Sequence, residues 1–144
     1  VMPSDSHLMV TARTFTPETR DRYPEIIKRV AAGVGEATRT GIEVDYHFGP
    51  PPMINDDACV DTGRRAAETV FGKDHLTDWE LQMGGEDFAK YPQEKCILLL
   101  GGGWPEEERQ FPQHSPFFDI DESALSLGVE YFVEYVQEYQ KELS

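Results

Sequence analysis

The chain has 144 residues, with 27 acidic against 13 basic side chains and a formal net charge of -14. That balance leaves no cluster of Lys and Arg from which a nucleic-acid or anionic-membrane surface is built. Apolar residues at 39% and aromatics at 11% suffice for a packed core, which excludes wholesale disorder, and the length suits one ordinary domain or two small ones.

The opening Val1-Met2-Pro3 enters a strand-like run almost at once, as a natural start or a cut inside a larger protein would. Leu8, Val10 and Ala12 share one side of that run, which predicts a half-buried strand. Thr16-Pro17-Glu18 then opens a helix: a hydroxyl at the cap, proline at the first position, an acid in the first turn. Tyr23, Ile26, Ile27, Val30, Val34 and Ala37 recur at helical steps. Pro24 should kink that helix or mark a second start near Asp21, and Gly41 should stop it. Ile42, Val44, Tyr46 and Phe48 alternate with Glu43, Asp45 and His47, the clearest strand pattern in the chain. Strand, helix, strand is one half of a split β-α-β sandwich.

Gly49-Pro50-Pro51-Pro52 reads as a boundary, because consecutive prolines favour an extended connector. The expected division is 1–50 and 51–144. Asn55 should cap a helix running to about Phe71, with Gly72 as its stop. A short strand-like piece follows between Leu76 and Gln82. Met83-Gly84-Gly85-Glu86-Asp87-Phe88 is a tight turn leading into acids. Cys96-Ile97-Leu98-Leu99-Leu100, bounded by Gly101-Gly102-Gly103, suggests an inner strand of a covered sheet. Trp104 to Pro112 reads as a polar loop. A last helix begins near Asp121 and Glu122, with Leu125, Val129, Phe132, Val133 and Val136 on its apolar face. The predicted fold class is therefore α/β. No run approaches the ~20 apolar residues of a membrane span, and no signal peptide is visible. Cys59 and Cys96 read as two reduced thiols of a cytoplasmic protein.

Chemistry is sparse. His7, His47 and His75 read as surface or capping histidines. His114 follows a proline-bounded loop. It either hydrogen-bonds that loop or faces a cleft. A hydrolytic metal centre needs at least three protein ligands, and no pair has a chelating spacing such as His-x-x-x-His or Cys-x-x-Cys. There is no Gly-x-Ser-x-Gly elbow, and the glycine runs match no phosphate or dinucleotide loop. Glu86 and Asp87 either line a cleft or open a helix. Arg13 either grips a carboxylate or is a solvated charge.

Four pieces in order carry a family resemblance: Thr11-Ala12-Arg13-Thr14-Phe15; Pro51-Pro52 with Asn55-Asp56; Gly84-Gly85-Glu86-Asp87-Phe88-Ala89; and His114-Ser115-Pro116 through Phe118-Asp119-Ile120-Asp121-Glu122 to Ala124-Leu125. The chain resembles the C-terminal portion of the metal-dependent aminoacylase and carboxypeptidase family, and within it the amidohydrolase branch of hippurate hydrolases, N-acyl-amino-acid amidohydrolases and auxin-conjugate hydrolases.

The resemblance implies a zinc-exopeptidase-like catalytic layer for 51–144. It implies half of a ferredoxin-like lid and dimerisation domain for 1–50. It makes His114 the family's last metal ligand and Gly84, Gly85 and Glu86 part of a substrate-pocket loop. It implies two divalent metal ions (zinc, manganese, cobalt or nickel) in the full-length protein, an N-acyl amino acid or peptide-like substrate, and a homodimer. In the implied reaction the metals activate a water and a glutamate carries its proton to the leaving amine. The family's other ligands, its general base and its lid histidine all precede the lid half, so no catalytic residue is assigned here. The 144-residue chain alone is expected to be inactive and to hold metal weakly. A non-catalytic dimerisation module of the same fold, and a dipeptidase or carboxypeptidase of the same family, are the competing expectations.

Overall fold

In the computed structural model, described for residues 3–143, the regular structure is helical. Helix α1 spans Pro17–Thr38, α2 spans Asp57–Phe71 and α3 spans Ser123–Glu142, with single 3₁₀ turns at Lys73–His75, Asp87–Lys90 and Glu107–Arg109. Val1 and Met2, where the sequence suggested an abrupt start, and Ser144 lie outside the described residues. Two compact units are present. One joins the described residues up to Met53 with Glu80–Pro92. The other joins Ile54–Trp79 with the described residues from Gln93 onward.

The expected α/β class, with its ferredoxin-like β-α-β half, is overturned: among the described residues there is no β-strand. The segments expected to be strands at 8–12, 42–48 and 96–100 carry no regular secondary structure. Alternation determines which side chains share a face. It does not provide the second backbone edge that a ladder requires. Val44 and Tyr46 are half-buried while Asp45 and His47 point outward, paired at 3.0 Å, so the two-residue period survives only at the centre of the run, Ile42 and Phe48 being exposed. The run at 8–10 has no such cover, with Leu8 89% and Met9 97% exposed.

In the first unit, Thr16 accepts the Thr19 N–H at 3.2 Å and caps α1, as its sequence required. The helix continues through Pro24, although proline cannot donate to the Arg20 carbonyl. Its stop is Arg39 rather than Gly41. Arg39 takes a left-handed φ of 55°, and the Thr40 N–H donates to the Gly35 carbonyl at 3.0 Å. Gly35 makes this reversal possible, because a Cβ there would lie 2.8 Å from the Thr40 carbonyl oxygen. Arg20 stacks over Phe48, 4.4 Å from the ring centroid, and donates to the Gly49 carbonyl at 2.7 Å, tying the extended segment to α1.

In the second unit, α2 packs against α3. Asp56, not Asn55, caps α2 by accepting the Cys59 N–H at 3.0 Å. Asn55 instead accepts the Ile97 N–H at 3.0 Å. α2 turns small residues inward, namely Thr62, Gly63, Ala66 and Ala67. That smooth surface receives rings from α3. Tyr131 stacks on Phe71 at 6.0 Å between centroids and leans on Tyr135 at 6.1 Å. The inward face of α3 is thus Ala124, Tyr131 and Tyr135. The apolar stripe expected to be buried points out, with Val129 65% and Phe132 69% exposed. Rings against small residues, with Glu138 and Glu142 further along the same face meeting Arg65, explain which face turned inward.

That polar end makes an acid-sensitive contact. Hydrogen bonds from Lys141 and Arg65 hold the Glu138 carboxyl below its ordinary value. A carboxyl whose folded pKa is depressed contributes stability that is present above its unfolded value and lost as pH falls through the folded one. The urea midpoint of the chain is expected to fall between pH 6 and pH 3. Glu138→Gln should flatten that acid limb, and an unchanged limb in the variant would remove the residue from the account.

Candidate functional site

The candidate residues lie in separate units. Gly84, Gly85 and Glu86 are in the first, and His114 is in the second.

In the first unit, the Arg13 guanidinium lies over the glycine turn. A Cβ on Gly85 would fall 2.7 Å from Arg13 Nη1. The Glu86 side chain accepts the Phe88 N–H at 3.0 Å and caps the turn Asp87–Lys90, while Asp87 pairs with Lys90 at 2.8 Å. Arg13 is exposed and, among the described residues, makes no carboxylate ion pair within 4.0 Å. Gly85→Ala should displace this guanidinium, the far end of a flexible side chain, at a stability cost below about 0.5 kcal/mol. Equilibrium unfolding measures the cost. Loss of the native fold would show that the glycine serves the scaffold instead.

In the second unit, His114 sits at the tip of a closed loop. The Ser115 N–H donates to the Pro112 carbonyl at 3.0 Å, which places His114 third in a four-residue turn. Its φ is 69°, in the left-handed region. A turn that demands positive φ at its third position ordinarily carries Gly or Asn there. Histidine in that conformation costs about 1–3 kcal/mol relative to an unstrained backbone. The imidazole is exposed. Below the tip, Phe111 packs on Phe117 at 5.5 Å between centroids. The Trp104 Nε1–H donates to Asp119 Oδ2 at 3.1 Å, and the Arg109 guanidinium stacks over the Trp104 ring at 3.2 Å. The Asp121 N–H donates to the Gly102 carbonyl at 2.9 Å and closes the base. Asp121 Oδ1 accepts the Ser123 N–H at 2.9 Å at the start of α3, and that bond lowers the Asp121 pKa.

The Trp104–Asp119 contact is hidden in a sequence stretch, 104–112, that reads as a polar loop. Its one signal was a tryptophan beside a proline in an otherwise charged stretch. The thiols are free and half-buried. Cys96 donates to the Cys59 carbonyl at 3.4 Å, and burial raises both pKa values. Inert buried thiols fit that environment.

Among the described residues, no group of three or more His, Cys, Asp or Glu side chains is arranged to hold a metal ion. One exposed imidazole on a turn does not make a metal centre, so the residues present do not by themselves fit the two-metal site that the resemblance implied. No helix among them is long and apolar enough to cross a membrane.

Residues 5–138 match the peptidase family M20/M25/M40, and the chain belongs to that family. The family is generally metal-dependent. Among its relatives is YhaA of Bacillus subtilis (strain 168), whose name assigns it to the amidohydrolases. It is 35% identical over 127 residues, covering 87% of this chain and 32% of that protein. An N-acetylcysteine deacetylase of the same organism is 34% identical over 140 residues, covering 93% of this chain and 34% of the relative. The IAA-amino acid hydrolase ILR1-like 4 of Arabidopsis thaliana is 26% identical over 150 residues, covering 99% of this chain and 34% of the relative. The chain spans about a third of the length of these relatives. No solved structure matches at comparable significance.

Proposed function

We propose that the full-length protein hydrolyses the amide bond of N-acyl amino acids or related conjugates, and that this stretch contributes His114 as one metal ligand. The observation that carries the proposal is the left-handed backbone at His114. A turn that would be less strained with Gly or Asn keeps an imidazole exposed at its tip, and strained non-glycine residues concentrate where a side chain has work to do. Two relatives are named for deacetylation of N-acetylcysteine and hydrolysis of an IAA-amino acid, which supports an N-acyl amino acid as the substrate class.

Gly84, Gly85 and Glu86 are proposed to line the substrate pocket, the glycines by allowing close approach. Residues 1–50 are assigned a lid and dimerisation role, and residues 51–144 a place in the catalytic part. The proposal includes two divalent ions of the zinc, manganese, cobalt or nickel type, a homodimer and a cytoplasmic location.

The test is an assay of N-acetylcysteine and other N-acyl amino acids, with metal content measured in parallel. The full-length protein should turn over at least one of them. The 144-residue chain should show neither turnover nor stoichiometric metal. A metal-replete full-length protein inert on every N-acyl amino acid would overturn the substrate class. Tightly held metal in the short chain would overturn the view that His114 is one corner of a larger site.

A further inference from the structure

The segment from Gly102 to Asp121 folds back on itself through nested contacts. The Gly102–Asp121 backbone bond is outermost, at 2.9 Å, and the Trp104–Asp119 bond lies inside it at 3.1 Å. The Phe111–Phe117 ring pair and the Pro112–Ser115 turn follow inward, and His114 is the apex. A left-handed histidine persists only where its surroundings over-determine the backbone. The polar tie nearest the apex that involves side chains from both limbs is the cluster of Trp104, Arg109 and Asp119.

The parts of that cluster are unequal. The Arg109–Asp119 ion pair is exposed and long, at 3.4 Å, and contributes little by itself. The indole N–H donating to a carboxylate is a charge-assisted bond. Arg109 over the ring adds a cation–π contact. The Gln110 side chain donates to the Trp104 carbonyl at 2.7 Å, fixing the same residue's backbone. Trp104 is thus held by edge, face and main chain at once.

We propose that Trp104, Arg109 and Asp119 form a latch that positions His114, with Trp104 and Asp119 as positioning residues that act through the backbone of its loop. The functional meaning of the latch rests on the ligand reading of His114. Its geometry does not, so the two can fail separately.

The test uses the 144-residue chain and NMR. Trp104→Phe keeps an aromatic ring and removes the N–H donor, and Asp119→Ala removes the acceptor. Each should speed hydrogen exchange at the Ser115 and Phe118 amides by about tenfold, the scale of one charge-assisted bond. Each should also broaden or split the His114 ring signals, while exchange at the Val60 amide in α2 stays unchanged. Arg109→Met, which removes the cation and its planar stack on the ring, should show the same changes to a smaller degree. Unmoved His114 signals in Trp104→Phe would overturn the latch. Exchange rising equally at Val60 would also overturn it, because the cluster would then serve global stability alone. Should Asp119→Ala not fold, Trp104→Phe decides the matter.

Discussion

His114→Gly is expected to leave the chain as stable as the parent, or more stable by about 1 kcal/mol, and to cost the full-length enzyme at least about 10-fold in activity. The first half follows from the backbone. With φ at 69°, histidine bears a steric cost that glycine does not. Against this, glycine gains freedom in the unfolded chain, so the net gain is smaller than the strain relieved. The second half follows from the proposed role. Loss of a partner that merely orients a metal ligand costs 10–100-fold, and loss of the ligand itself costs no less. A residue kept for folding would show the opposite pattern. Denaturant unfolding of the short chain and turnover by the full-length protein read the two halves separately. Lost stability with activity retained would assign the imidazole to the loop. His114→Asn, which also tolerates the left-handed region, should match glycine in stability and likewise fail to restore activity.

The helices were legible because their signals are local. Thr16-Pro17 marks α1, and Asn55-Asp56 with Gly72 brackets α2, by capping chemistry that needs no distant partner, although the cap falls on Asp56 rather than the expected Asn55. The strands were not, because a strand is defined by a neighbour. The patterns at 8–12 and 42–48 specify faces, and Val44 and Tyr46 do keep theirs, yet no ladder forms among the described residues. The face of α3 was misread for a related reason. Aliphatic periodicity picked out Leu125, Val129 and Val136, whereas the packing partner on α2 is a surface of small residues that accommodates Tyr131 and Tyr135. Complementarity between two helices 52 residues or more apart in sequence is invisible to a count made along one of them. At the candidate site, the motif residues around His114 were readable in order. The left-handed backbone at His114 and the reach of Trp104 to Asp119 were not, since both depend on how the loop closes.

The largest effect on stability is expected at Tyr131. Truncation to alanine should cost about 3–5 kcal/mol, the range for removing a buried aromatic ring. The ring is 6% exposed, stacks on Phe71 and touches Tyr135, and burial pushes its hydroxyl pKa up to about 12. The hydroxyl also explains Gly63. A Cβ there would stand 2.8 Å from the Tyr131 Oη, with Tyr135 Cε2 at 3.6 Å and Cys96 Sγ at 3.9 Å in ordinary contact. The ring is wedged on the α2 surface, so the oxygen cannot swing aside as the end of a lysine would. Gly63→Ala should therefore destabilise by about 1 kcal/mol or more through overpacking, against the helix-propensity gain of about 1 kcal/mol that alanine brings. Tyr131→Phe removes the obstructing atom. In that background the same Gly63→Ala change should reverse sign and stabilise, since the two substitutions share one contact and are not additive. Urea unfolding of the four proteins measures the coupling. Equal effects of Gly63→Ala in both backgrounds would mean that the hydroxyl does not dictate the glycine.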